Sequence, residues 1–144
     1  MDKIKKILIA IDNDPAAEKI ALHGLQLALQ LKAEIALLSV IDSTMLETQG
    51  AVTPQEFSEI IKNDYKKLQQ MLIDTVFKGH EVWTFLEEGK PHEVIFNVAQ
   101  EWDADVIVLG THGRIGISHL IMGSVAEKVI RHSKKPVLII PTRL

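Results

Sequence analysis

Cysteine is absent from the 144 residues. No disulfide framework, cysteine nucleophile or thiolate zinc site can be built from such a chain. Long hydrophobic runs are absent too: the purely apolar stretches are strand-sized, far short of the roughly 20 residues of a membrane span. An excess of one charge is also lacking, with 16 basic against 19 acidic side chains and a net charge of −3. That balance is too mild to suggest nucleic acid or an acidic membrane surface as a partner. Met1-Asp2-Lys3-Ile4-Lys5-Lys6 leads straight into a strand-like run, without a signal-like apolar region or small-residue cleavage site. A cytoplasmic protein is therefore expected. What remains is ordinary globular composition, 47% hydrophobic and 24% charged, enough to bury a core as a single domain over residues 1–144.

Strand and helix signals alternate throughout. Ile7-Leu8-Ile9-Ala10-Ile11 is a continuous apolar run closed by Asp12, as for a strand buried on both faces. Asn13-Asp14-Pro15 reads as turn, N-cap and N1 proline. The helix behind it places Ala17, Ile20, Ala21, Gly24, Ala28 and Leu31 on one face. A second strand, Ile35 to Ile41, ends at Asp42. Thr53-Pro54-Gln55-Glu56 is a capping box opening a helix whose expected buried face is Phe57, Ile60, Ile61, Leu68, Met71, Leu72 and Thr75. Glu81 to Leu86, with Trp83 and Phe85, suits an edge strand. After Gly89-Lys90-Pro91, a third helix buries Val94, Ile95, Val98, Ala99 and Trp102, with both tryptophans expected in the core. Asp105 to Leu109 is a fourth strand, Ser124 to Ser133 a helix with a second capping box (Ser124, Glu127), and Val137 to Ile140 a fifth strand.

Helical crossovers imply parallel strands and right-handed connections. The fold class is α/β: a doubly wound, five-stranded parallel sheet, expected order 3-2-1-4-5, with helices on both faces. Ligands in such sheets bind where the strand order reverses, at the carboxyl ends. Two features sit there. One is Asp12, directly after the first strand. The other is Gly110-Thr111-His112-Gly113 after the fourth, followed by Gly123-Ser124 at a helix start. Glycines allow close backbone approach, and a helix start offers N–H donors to phosphate. The last third carries Arg114, Lys128, Arg131, Lys134, Lys135 and Arg143 against Glu127 alone. These cations suit either a bound anion or the negative end of a helix.

Taken together, the strand ending at Asp12, Val40-Ile41-Asp42, Gly89-Lys90-Pro91, Gly110-Thr111-His112-Gly113, Gly123-Ser124-Val125-Ala126-Glu127-Lys128 and Lys135-Pro136-Val137-Leu138-Ile139-Ile140 resemble the universal stress protein family, in order and over the whole chain. The glycine pattern is similar to that of its ATP-binding branch. The resemblance implies that Asp12 contacts the ribose, the Val40 backbone holds the adenine edge and Ala10 lies beside the ring. It assigns ribose and phosphates to Leu109, Gly110, Gly113, Gly123, Ser124 and Val125. Arg114 is a candidate phosphate contact or an exposed loop residue, and His112 and His119 are phosphate or metal contacts or solvated histidines. ATP, or ADP or AMP, is the expected ligand, with Mg²⁺ beside the triphosphate. A homodimer through residues 137–140 is expected from resemblance and from an apolar edge that lacks charge. Many members have serine where this chain has Asp14, which either caps the helix or points into the site and repels phosphate.

The expected function is an ATP-binding, stress-responsive regulatory switch with slow or no hydrolysis. There is no G-x-x-x-x-G-K-S/T lysine, no G-x-S-x-G elbow and no H-E-x-x-H. Alternatives are a partner-binding member without nucleotide, whose glycine pattern would be degraded, and a slow ATPase or nucleotide-dependent transferase. A phospho-receiver would need an aspartate and a lysine where Glu87-Glu88 and Thr142-Arg143 stand. No sequence feature identifies a protein partner.

Overall fold

Ile7, Leu8 and Ile9 are completely buried, and their alternation divides the core in two. They belong to β1 (Lys6–Ile11), the middle strand of a computed structural model that describes residues 3–43, 53–112 and 122–142. The other elements are α1 (Ala17–Leu31), β2 (Glu34–Asp42), α2 (Pro54–Asp74), β3 (Val82–Gly89), α3 (Pro91–Glu101), β4 (Val106–Gly110), α4 (Ser124–His132) and β5 (Val137–Ile140). All five strands are parallel, in the order β3-β2-β1-β4-β5. Ile7, Ile9 and Ile11 pack with α1 residues and with Leu72 and Phe77. Leu8 packs on the opposite face with Ile95, Val98 and Ala99 of α3 and Ala126 and Val129 of α4. The expected sheet and its two helical layers are present.

Close packing fixes how α1 meets the sheet. A Cβ on Gly24 would lie 2.3 Å from Ile9 Cδ1, so glycine lets the helix settle onto β1. At the other end of the sheet, the Asp105 carboxylate accepts the N–H groups of Lys5 and Lys6 at 2.8 and 3.0 Å, tying the start of β1 to that of β4. Inside α2, Gln69 is buried; its Nε2 donates to Ser39 Oγ at 3.1 Å and to the Phe85 carbonyl at 3.0 Å, clamping the helix over β2 and β3.

Several expectations are corrected. Trp83 is 51% exposed: it lies near the start of edge strand β3, whereas the α3/α4 cluster reaches Phe85 further along the strand. Ile60, Met71 and Thr75 are exposed because α2 buries a narrower stripe, Ile61, Tyr65, Gln69 and Leu72. Leu31 is exposed at the end of α1, and Leu25 is buried instead. Strand β3 runs three residues beyond the expected Leu86, to Gly89.

The Thr53–Glu56 capping box is formed in both directions, each bond 3.1 Å; such caps contribute about 1 kcal/mol. The two other expected caps are not. Helix α1 starts at Ala17, with Ala16 as N-cap, so Asp14 closes a turn ahead of the helix. Gly123 is the N-cap of α4, which places Ser124 inside the first turn with no capping bond. The basic residues at the end of the chain are partly accounted for by local contacts. Lys135 Nζ donates to the carbonyls of Ala99 and Ala104, near the end of α3. Arg131 pairs with Glu127 at 2.7 Å.

Candidate functional site

The sheet splits at its carboxyl end. The β1–β4 ladder registers Ile7↔Val106, Leu8↔Ile107 and Ile9↔Val108 and goes no further. The β1–β2 ladder continues to Ile11↔Ser39, and β4–β5 to Gly110↔Ile140. Between the parted strands lies a cleft of about 520 Å³, within the range of about 300–1,000 Å³ usual for small-molecule sites. This is the point where strand order reverses, the place such sheets offer to ligands.

One lip is built on β1. Asp12 follows the last strand residue, and its Oδ1 accepts the Asn13 N–H at 2.8 Å and the Tyr65 hydroxyl at 2.5 Å. Tyr65 comes from α2 and is 1% exposed. A carboxylate held by two donors on one oxygen is fixed in direction. Ala10, Leu38, Val40 and Leu109 give the cleft an apolar wall, with Phe57 and Ile95 also lining it.

The opposite lip is the start of α4. Its first helical bond runs from the Glu127 N–H to the Gly123 carbonyl at 3.0 Å. The N–H groups of Ser124, Val125 and Ala126 therefore precede the intrahelical ladder, at the positive end of the helix. All three residues line the cleft. Gly123 lines it too, but its N–H is donated to the Thr111 carbonyl at 2.8 Å. Its φ of −62° is open to any residue. The donors this lip presents thus lie one to three residues beyond the glycine.

Gly110 has a packing role. A Cβ there would meet Thr142 Cγ2 at 2.6 Å and Ile20 Cδ1 at 2.7 Å, so this glycine admits α1 and the segment after β5. Thr142 also binds the exit of β4: its N–H donates to Thr111 Oγ1 at 3.1 Å, and its Oγ1 accepts the His112 N–H at 3.2 Å. His112 lines the cleft, with Nδ1 3.0 Å from Thr111 Oγ1.

Asp14 closes a turn ahead of α1 rather than capping the helix, and it lines the cleft. Its Oδ1 accepts the Ala16 N–H at 2.7 Å. Burial raises its carboxyl above the ordinary value; the Ala16 hydrogen bond opposes the shift, and the Asp12 charge adds to it. Asp42 is the third carboxylate of the lining, and no lysine or arginine occurs among the described lining residues. No group of three metal-ligating side chains occurs among the described residues. A divalent cation here would complete its shell with ligand oxygens and water.

The structure thus brings together Ala10, Asp12, Val40, Leu109, Gly110, Gly123, Ser124 and Val125 around one cleft. Gly113, Arg114 and His119 lie outside the described residues. Tyr65 was not among the expected site residues. The available signal was the chain's single tyrosine, four residues after Ile61 on an amphipathic helix, where a buried hydroxyl needs a partner.

The profile of the universal stress protein family matches residues 3–141. Universal stress protein MJ0577 of Methanocaldococcus jannaschii is 33% identical, over 94% of this chain and 94% of that protein. Universal stress protein YxiE of Bacillus subtilis is 31% identical, over 94% and 97%. The solved structure of MJ0577 aligns with a TM-score of 0.75 and 30% identity, covering 99% of both chains. A universal stress protein crystallised in complex with cAMP shares the fold at 18% identity and a TM-score of 0.64, covering 99% of this chain and 100% of that one.

Proposed function

The chain belongs to the universal stress protein family, and we propose that it is an ATP-binding regulatory member that uses the nucleotide as a ligand and conformational signal. The split between β1 and β4 carries this reading, because it sets an oriented carboxylate opposite a helix start with an apolar wall between them. Those three surfaces match the three parts of a nucleotide. Ala10 and Val40 cover the base, and the Val40 backbone meets its polar edge. Asp12 accepts ribose hydroxyls, for which a carboxylate is a strong acceptor and beside which phosphate is disfavoured. Ser124 Oγ and the N–H groups of Ser124 and Val125 donate to phosphate oxygens. Leu109 and Gly110 form the floor, with Gly113 and Arg114 assigned to the same phosphate end.

The same inventory argues against rapid hydrolysis. Phosphoryl transfer without covalent help depends on positive charge at the transition state, whereas the described lining has three carboxylates and neither lysine nor arginine. Mg²⁺ bound with the triphosphate would offset the carboxylates enough for binding, while the described lining still adds no side-chain cation to the transition state. The protein acts as a homodimer joined along β5, an edge strand reading Val137-Leu138-Ile139-Ile140. A cytoplasmic location fits a protein in which no described helix is long and apolar enough to cross a membrane.

Thermal shift with ATP, ADP, AMP and cAMP, alongside mass spectrometry of what co-purifies, tests the binding reading. ATP should raise the melting temperature by mass action; no shift with any nucleotide would reject it. Single-turnover hydrolysis tests the signal reading. A rate of about 1 per second or faster, lost in Ser124→Pro, would make the protein an ATPase instead.

A further inference from the structure

Asp14 is one of two cleft carboxylates, with Asp42, to which the binding scheme gives no role. Its position is firmly set. Its N–H donates to the Asp12 carbonyl at 3.0 Å, its carbonyl accepts the Ala17 N–H at 3.1 Å, and Oδ1 holds the Ala16 N–H. Swinging the carboxylate away would forfeit that last bond. The turn lines the same cleft as the start of α4. Ile20, early in α1, packs where a Cβ on Gly110 would be, and Gly110 leads to Thr111, whose carbonyl holds Gly123. Asp14 and the α4 start therefore border one space.

Among the described residues, local compensation is weak. Lys19, on the first turn of α1, directs its Nζ to the Pro141 carbonyl at 2.5 Å. The described lining contributes Asp12 and Asp42 as further carboxylates and no permanent cation. Burial and Asp12 already oppose the ionised form of Asp14. Additional negative charge in a half-buried site of this kind is repelled more strongly than in water.

We propose that Asp14 is the specificity-determining residue that sets the charge of the ligand: it excludes a metal-free triphosphate and admits nucleotides whose phosphate charge is small or is carried by a divalent cation. This inference rests on the nucleotide reading of the cleft. In that role Asp14 couples occupancy to the cation. A cation-bound triphosphate gains a carboxylate neighbour, whereas the bare triphosphate meets a repulsive one.

The test is titration calorimetry of the full-length protein with ATP, AMP and adenosine, each with Mg²⁺ and with EDTA. In the wild type, Mg²⁺ should tighten ATP by about tenfold or more while leaving adenosine unchanged. Asp14→Asn should bind metal-free ATP about tenfold more tightly and reduce the Mg²⁺ effect below about threefold. Asp14→Ser, which also keeps an acceptor for the Ala16 N–H, should do the same and serves as the second variant if the first does not fold. A Mg²⁺ effect on ATP as large in the neutral variants as in the wild type would overturn this inference and leave nucleotide binding intact. No binding of adenosine, AMP or ATP to the wild type under either condition would overturn both.

Discussion

Tyr65 and Asp12, separated by 53 positions in sequence, are joined by a 2.5 Å hydrogen bond that sets the direction of the carboxylate at the mouth of the cleft. The donor comes from a helix over β2 and β3 and the acceptor from the end of the central strand, so the bond makes α2 part of the site. Tyr65→Phe removes the hydroxyl and keeps the ring. Affinity for adenosine and ATP alike should fall about tenfold, the loss expected for a hydrogen bond to a charged group. Calorimetry on the folded variant measures it, and unchanged affinity would show that Asp12 needs no support from α2.

Ser124→Pro isolates the helix-start donors. Ser124 is the first residue of α4, where proline is favoured, and Gly123 already has the extended backbone that must precede proline (φ −62°, ψ 152°). The substitution removes one N–H and one hydroxyl without breaking an intrahelical bond. Unfolding free energy should change by no more than about 0.5 kcal/mol. ATP should bind about tenfold more weakly, with adenosine unaffected. Equal losses for both ligands would mean that α4 does not meet phosphate.

Gly110→Ala distinguishes packing from ligand approach. The new methyl would collide with Ile20 and Thr142, and overpacking of this kind costs about 1–3 kcal/mol. Urea unfolding should register the loss, while folded protein retains adenosine affinity. A variant as stable as the wild type would disprove the packing role.

Asp14→Asn should be more heat-stable than the wild type near neutral pH. The folded carboxyl titrates above its ordinary value of 3.8. Below that value it is protonated in both folded and unfolded chains, and the two proteins should match. As pH rises from 3.8 through the raised folded value, the wild type loses stability relative to the variant, because the unfolded carboxyl ionises more readily. Asparagine keeps an oxygen for the Ala16 N–H. Melting temperatures across this window provide the check, and a constant difference would exclude Asp14 as the cause.

Ile139→Lys places a charge on the β5 edge, where Ile139 is half-buried. Sedimentation should give a dimer for the wild type at micromolar concentration and a monomer for the variant. A wild-type monomer, or a dimer indifferent to the substitution, would remove β5 as the interface.

The sheet was legible because Ile7–Ile11 and Val106–Leu109 are apolar runs bounded by polar or glycine residues, and buried parallel strands require such runs. The helix starts were less so. A serine three residues before a glutamate reads as a capping box whether it is the N-cap or the next residue, and only the backbone at Gly123 separates the two. Gly110 reads as a ligand-approach glycine from sequence, since Ile20 and Thr142 reach it from distant parts of the chain. Tyr65 belongs to the same class: its partner Asp12 is revealed by tertiary packing alone.

The pairing of β1 with β4 also bears on how the chain folds as it is synthesised. Asp105 closes onto the Lys6 N–H across 99 positions, so the central strand waits for most of the chain before its second edge is covered. At about 5–20 residues per second, that interval is about 5–20 s. Once β2 has been made, β1 can pair with it but still presents Ile7, Leu8 and Ile9 along an open margin. The nascent chain is therefore most vulnerable to association with other chains just before β4 emerges.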